Sequence, residues 1–303
     1  MFEPGKLYFL TNRTLEGRLF MTPSVRVNNI IGSTLARALD RFAVTIYGGV
    51  FLSNHYHLPV RAEPAAIPRF VQYFQSVIAR KINRLIGRRG PFWGRRYSAE
   101  SVEDEAAGEQ LMEYLCAHGA KEKLVDHGRQ WPGVHMTDAL LGDRKLTFEW
   151  EDWTERYNRE RRGEAVGDGE CVRSETLVLA KLPWLEHLDD DAYRARMADI
   201  YHSAVRSARA HRGSKPVLGR RKIMAQDPQA KPRRVNRSRR PLCHASTKAA
   251  RQAYLASYRD FCAAYEVASA EFRRGRLDTE FPAHAFRPPT WLIDSSPPLQ
   301  RAA

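Results

Sequence analysis

The sequence predicts an α+β fold: a mostly antiparallel sheet flanked by helices, followed by a mainly helical C-terminal extension. Over residues 1 to 130, runs of β-forming residues alternate with helical patterns, and about three of each can be assigned. Such an order is typical of helices packed on one antiparallel sheet. The chain has 303 residues and is 43% hydrophobic, which suffices for a packed core.

The first elements are a strand and a helix. Residues 6–13 (KLYFLTNR) are rich in β-forming side chains and predict a strand. A helix should follow Thr22-Pro23-Ser24, because apolar residues then recur three and four apart. The stretch 42–63 is strand-like, and Gly48-Gly49 predicts a turn that divides it into two strands.

Two further helices are predicted in the first half of the chain. Residues 66–88 have an apolar side and a basic side, and the segment 91–98 should be a short strand or extended. Ser101 and Asp104 resemble a capping box for a helix that should end near His118.

The second half of the chain is less regular. Residues 131–180 show no clear pattern, apart from a charged, glycine-containing stretch at 160–169 that predicts an exposed loop. Helices are expected over about 188–211 and 246–274. Between them, residues 215–240 contain ten Lys or Arg, one acid and three prolines, so this basic stretch should not be helical.

The charge balance points to a polyanionic partner. Lys and Arg total 49 against 35 Asp and Glu, a net charge of +14, and nucleic acid is the commonest partner of such a chain. The alternative is a basic surface that serves solubility. One dense cluster, suited to phosphate contacts and with an aromatic ring suited to base stacking, comprises Arg80, Lys81, Arg84, Arg88, Arg89, Arg95, Arg96 and Tyr97.

The four cysteines argue for a reducing compartment. No pair has CxxC spacing, so neither a structural zinc site nor a disulfide framework is expected. The N-terminus does not resemble a signal peptide, and no apolar run is long enough to span a bilayer. We therefore expect a soluble cytoplasmic protein without a membrane partner.

Two motifs carry chemistry. In a strand, His55 and His57 would project from the same face and could hold one divalent ion; the alternative is a pair of surface histidines on an edge strand. On the predicted helix, Gln110, Tyr114 and His118 are spaced by four and share a face. Tyr114 could be a nucleophile beside a third ligand, although aromatic residues on helices usually pack in a core. A bound ion would polarise a phosphate that Tyr114 attacks.

These motifs resemble the single-tyrosine HUH transposases, and most closely the REP-associated tyrosine transposases of the IS200-like group. LSNHYHLPV resembles the histidine–hydrophobic–histidine motif. FWGRRY, the segment 113–125 and Trp131-Pro132 resemble further family elements, all in the family's order over about residues 5–135.

The resemblance implies three regions. Residues 1–135 would be an HUH catalytic domain of ferredoxin-like or RRM-like fold, 136–175 a connecting region, and 176–303 an accessory basic helical region. As in the family, the enzyme would work as a monomer or homodimer, and we expect it in the bacterial cytoplasm, associated with the nucleoid.

The resemblance also implies roles for individual residues. His55 and His57 would hold Mg²⁺ or Mn²⁺, with His118 as third ligand at a position that is often Asn or Gln in the family. Tyr114 would cleave and rejoin single-stranded DNA with hairpins or palindromic repeats, through a covalent 5′-phosphotyrosine; Tyr97 is the rival nucleophile. The alternatives are a domesticated DNA-binding protein of the same fold and a metal-dependent nuclease that uses water.

Overall fold

The structure is a computed structural model that describes residues 2–232 and 241–290. Its strands are β1 Leu7–Arg13, β2 Val44–Ile46, β3 Val50–Phe51, β4 His55–Ala62, β5 Ser98–Val102, β6 Lys145–Glu151, β7 Val172–Val178 and β8 Cys243–His244. Its helices are α1 Val25–Arg41, α2 Ala66–Leu85, α3 Glu105–Ala117, α4 Thr137–Leu141, α5 Trp153–Arg161, α6 Asp190–Arg212, α7 Arg220–Met224 and α8 Lys248–Arg273. The predicted α+β class is confirmed.

The central sheet has the strand order β2-β4-β1-β5-β8, and β3 also pairs with β4. β4 and β1 are antiparallel over seven residue pairs, from Leu7 opposite Arg61 to Arg13 opposite His55. β5 is antiparallel to β1, whereas β8 runs parallel to β5. The sheet is therefore mostly antiparallel, and a strand from the C-terminal half of the chain extends it.

Helices α1 and α2 cover one face of this sheet. The Tyr56 ring of β4 lies 5.4 Å from that of Phe74 in α2, and its hydroxyl accepts a hydrogen bond from Gln75 Nε2 at 2.7 Å. Leu58 and Val60 on the same face are fully buried. Burying each such side chain stabilises the fold by roughly 1.5–3 kcal/mol, so this face is the main core.

Helix α3 begins one turn after the strand β5. Its N-cap is Asp104, whose side chain accepts a hydrogen bond from the Ala107 amide at 2.8 Å. The predicted capping box with Ser101 is wrong, because Ser101 lies buried within β5. The strand occupies Ser98–Val102 rather than the segment 91–98, since pairing with β1 starts only at Ser98.

A second sheet, formed by β6 and β7, was not predicted. The two strands make an antiparallel pair that packs on α1. Gly32 of α1 marks the close approach, because a Cβ there would lie 2.3 Å from the Phe148 ring. The loop predicted at residues 160–169 follows α5 and is largely exposed.

The C-terminal helices agree with the prediction in two places and differ in one. α6 and α8 match the expected helices, and α6 packs on α3, where Ser203 donates a hydrogen bond to Glu113 at 2.9 Å. Within the basic stretch predicted to be non-helical, α7 forms a short helix after Gly219. Residues 233–240 of that stretch lie outside the described part of the chain, and the three-region division stays a prediction.

All four cysteines are free thiols. No helix among the described residues has the length and apolar character needed to cross a bilayer.

Candidate active site

The site lies on the face of the sheet opposite α1 and α2. Because successive side chains of a strand alternate between faces, His55 and His57 of β4 project away from the core that holds Tyr56. Helix α3 packs over this second face and places Tyr114 in its last full turn, with a ring 5.4 Å from that of His57. His118 is the C-cap residue of α3.

The three histidines meet. His55 Nε2 lies 2.9 Å from His118 Nε2, and one nitrogen of each of the three rings lies within 4.8 Å of the others. Two nitrogens that bind one ion at 2.0–2.1 Å and at a right angle are about 2.9 Å apart, so the spacing fits a shared cation. Within residues 2–232 and 241–290, no other group of His, Cys, Asp and Glu has this geometry.

The protonation of these rings suits metal binding. Burial lowers the pKa of His118 to about 3, with smaller contributions from His135 and Lys121, so the ring is neutral at physiological pH and has a lone pair to offer. Its contact with Glu122, at 3.4 Å from Nδ1, is therefore not an ion pair with an imidazolium. Behind His55, the Asn54 side-chain oxygen lies 2.6 Å from Nδ1, which favours a proton on Nδ1 and leaves Nε2 for the ion.

Tyr114 lies beside this cluster. Its hydroxyl is 3.4 Å from His57 Nε2, and its ring centroid is 4.9 Å from that of His118. Burial raises the pKa of the Tyr114 hydroxyl above its ordinary value, and Glu122 and Glu100 raise it further. The phenol is therefore protonated at neutral pH, and a nearby cation would favour loss of its proton.

One cavity of about 630 Å³ connects these groups, within the size range of ligand pockets, roughly 300–1,000 Å³. It is lined by all three histidines and Tyr114. Further polar groups in its wall are Arg13, Gln110, Glu100, Glu122, His244 and Arg251.

Several of these wall residues were missed in the sequence. His244 Nε2 lies 2.8 Å from Glu100 Oε2, and the His244 ring packs 5.5 Å from that of Phe9, which also stacks on His57. No local pattern announces His244, because its place depends on the pairing of β8 with β5. Arg13 could have been found, since it ends the strand β1 directly opposite His55.

The predicted basic cluster is divided. Arg80 and Arg84 are exposed on α2, which covers the other face of the sheet. Lys81 is engaged within the protein: its ammonium lies 3.5 Å from the Trp150 ring centroid and donates to the Glu151 carbonyl, and burial lowers its pKa to about 8. Arg88 donates to the Pro91 carbonyl at 2.6 Å and braces the loop after α2.

The remaining members follow that loop. Arg89, Arg95 and Arg96 are exposed. The Arg95 carbonyl accepts a hydrogen bond from Asn12 Nδ2 at 3.0 Å, which places this segment at the same end of the sheet as His55. Tyr97 is half-buried and burial raises the pKa of its hydroxyl, but Tyr114, not Tyr97, lines the cavity.

Comparison with known proteins gives the family. Residues 21–118 match the family model described as "Transposase IS200 like", a range that includes all three histidines and Tyr114. None of the curated proteins matches the chain. Two solved structures are similar to it. A protein assigned as a transposase, from Deinococcus radiodurans R1, is 18% identical, with 38% of this chain and 91% of that chain covered and a TM-score of 0.30. A REP-associated tyrosine transposase bound to a REP hairpin is 12% identical, with 40% and 71% covered and a TM-score of 0.33. On the family match, residues 21–118 are a domain of the IS200-like transposase family, as the motifs had indicated.

Proposed function

We propose that this protein is a transposase that cleaves and rejoins single-stranded DNA, with Tyr114 as nucleophile and a divalent cation held by His55, His57 and His118. One observation carries the proposal: the Tyr114 hydroxyl lies 3.4 Å from His57 Nε2, in the cavity where the three imidazoles meet. The family match supports a transposase of this kind and thus a DNA-cleaving enzyme.

The residues would divide the reaction among them. When bound, Mg²⁺ or Mn²⁺ would polarise the scissile phosphate. The Tyr114 oxygen would attack phosphorus while the bond to the 3′ oxygen breaks; the phenolic proton passes to solvent and the 3′ oxygen takes up a proton. The products are a 5′-phosphotyrosine and a free 3′-hydroxyl. Attack by a 3′-hydroxyl on this ester reverses the step and joins strands without ATP.

Basic side chains near the cavity would hold the strand. Arg13 and Arg251 line it, and Arg95 and Arg96 are exposed at the same end of the sheet. Contacts from such residues to phosphates give a salt-dependent affinity without sequence preference. The family resemblance favours DNA with hairpins or palindromic repeats as the substrate.

The accessory region would complete the catalytic pocket rather than act apart from it. Pro241, His244 and Arg251 belong to the predicted region 176–303, yet they line the same cavity as Tyr114. Tyr114 and the three histidines come from one chain, so a single protomer would suffice for cleavage.

A denaturing gel tests the proposal. The protein is incubated with Mg²⁺ or Mn²⁺ and a labelled single-stranded hairpin, and we expect a covalent adduct that survives denaturation. Tyr114→Phe should abolish the adduct, whereas the matched control Tyr97→Phe should retain it. Cleaved products without an adduct would instead show a hydrolytic nuclease. Binding without cleavage would show a domesticated DNA-binding protein.

A further inference from the structure

The candidate metal centre has an unusual donor set for an enzyme that acts on phosphates. All three clustered side chains are imidazoles, and no carboxylate oxygen of the described residues belongs to the cluster. Mg²⁺ prefers oxygen ligands and usually binds through one or two carboxylates. Imidazole nitrogen suits later first-row ions such as Co²⁺, Ni²⁺ and Zn²⁺.

A carboxylate stands behind one of these imidazoles. His118 directs Nε2 towards His55, at 2.9 Å, and its other nitrogen, Nδ1, lies 3.4 Å from Glu122 Oε1. The second oxygen, Oε2, accepts a hydrogen bond from the Gly119 amide at 2.6 Å. Gly119 has a φ of +86°, a conformation that glycine adopts readily, and this turn brings Glu122 back over His118.

This arrangement is that of an outer-shell carboxylate. A carboxylate beside Nδ1 favours the tautomer with its proton on that nitrogen, so that Nε2 is left as the donor atom, and it increases the basicity of the ring. Asn54 stands in the same relation to His55, but it carries no charge. Glu122 therefore adds the negative charge that favours a cation on the far side of His118.

We infer that this centre selects a nitrogen-seeking transition-metal ion over Mg²⁺, and that Glu122 is a positioning residue which holds His118 for that ion. The inference rests on the proposed function, because it concerns the ion used by the same site. It sharpens the expected choice between Mg²⁺ and Mn²⁺: Mn²⁺ should bind more tightly than Mg²⁺, and Co²⁺ more tightly than either.

The metal affinities of the full chain, measured without DNA, test the selectivity. Co²⁺ binding is followed by its visible d–d absorption, and Mn²⁺ and Mg²⁺ are measured by competition against it. We expect the affinity order Co²⁺, Mn²⁺, Mg²⁺, with a Co²⁺ spectrum of nitrogen ligation. Equal affinities for Co²⁺ and Mg²⁺ would overturn the inference.

Two substitutions separate the ligand from its positioning residue. His118→Gln exchanges a nitrogen donor for an oxygen donor, and it should narrow the Co²⁺-to-Mg²⁺ affinity ratio. Glu122→Gln should weaken Co²⁺ binding by roughly tenfold to a hundredfold, as loss of an outer-shell partner does. Glu113→Gln is the matched control, because it removes the same charge from a side chain that bonds Ser203 instead.

Each outcome bears on one part of the inference. An unchanged ratio in folded His118→Gln would contradict the selectivity. If that variant does not fold, the wild-type affinity order still decides, because Glu122 is 35% exposed and its substitution should leave the fold intact. Equal effects of Glu122→Gln and Glu113→Gln would contradict the positioning role. A Tyr114 adduct formed equally well with Mg²⁺ at low concentration would overturn the selectivity alone, whereas absence of an adduct with every ion would overturn the proposed function.

Discussion

The two faces of the central sheet differ in chemistry although they share the same strands. On one face of β4, Tyr56, Leu58 and Val60 are fully buried under the helices α1 and α2. On the other face, His55 and His57 border a cavity that also reaches Tyr114. The contrast shows a division of labour within one strand: close apolar packing fixes the backbone, and the fixed backbone sets the positions of the imidazoles.

The register of the sheet links the two faces. A shift of one residue would exchange every side chain between them, which would bury the histidines and expose the aromatic core. Seven residue pairs with β1 and the packing of Tyr56 against Phe74 oppose such a shift. The precision of the site is therefore supplied by the core.

The largest expected effect lies on the cavity face. His55→Ala or His57→Ala should abolish cleavage of a hairpin strand, because the cation would lose one of three ligands, while binding of the strand stays nearly unchanged. Cleavage is measured on a denaturing gel and binding by fluorescence anisotropy. Loss of binding equal to the loss of cleavage would contradict the division between metal ligands and basic contacts.

The next effect lies on the core face of the same strand. Tyr56→Ala should lower the free energy of unfolding by about 3–5 kcal/mol, the usual cost of removing a large aromatic side chain from a core. Tyr56→Phe should cost only about 1 kcal/mol, since it removes the hydrogen bond with Gln75 and keeps the packing. Denaturant unfolding measures both. A loss in His57→Ala as large as in Tyr56→Ala would show that the faces are not distinct.

An intermediate effect concerns acid stability. His135 is buried near the site, and burial lowers its pKa to about 4. Between pH 6.5 and about 4 the unfolded chain binds a proton at this residue and the folded chain does not, so stability falls as the pH decreases. The contribution is at most about 3 kcal/mol. Denaturant unfolding across this pH range should show a shallower slope in His135→Leu, but not in His211→Gln, an exposed control. Unchanged slopes in both would contradict a neutral His135.

The smallest effect concerns the basic residues at the two faces. Substituting Arg95 and Arg96 with alanine should weaken DNA binding more than substituting Arg80 and Arg84, because only the first pair lies at the cavity end of the sheet. Each lost phosphate contact should reduce the slope of log affinity against log salt by about 1. The reverse order of effects, seen in a salt titration, would place the strand on α2 instead.

Much of the fold could be predicted from local patterns. β1, α1, α2, α6 and α8 follow periodic apolar residues, and the His-x-His spacing alone places two rings on one face of a strand. The hairpin β6–β7 was missed because only one of its inward residues, Trp150, is buried in β6. Its alternating exposed and half-buried residues are a weak signal.

The remainder of the site depends on contacts between distant parts of the chain. The spacing of Tyr114 and His118 predicts a shared helix face, but not that this face would cover His57. Glu100 and His244 meet only because β8 joins the edge of the sheet beside β5. Lys81 was grouped with the DNA contacts on its charge, whereas its ammonium lies on the Trp150 ring, at a distance in sequence that no local pattern spans.

Identification of the residue that becomes attached to DNA tests the central claim most directly. After reaction with a hairpin strand and nuclease trimming, a glutamate-specific protease separates the two tyrosines, because Glu100 and Glu113 both lie between Tyr97 and Tyr114. Mass spectrometry should find the added nucleotide on the peptide 114–122. The same mass on a peptide that contains Tyr97, or on no tyrosine peptide at all, would contradict the account.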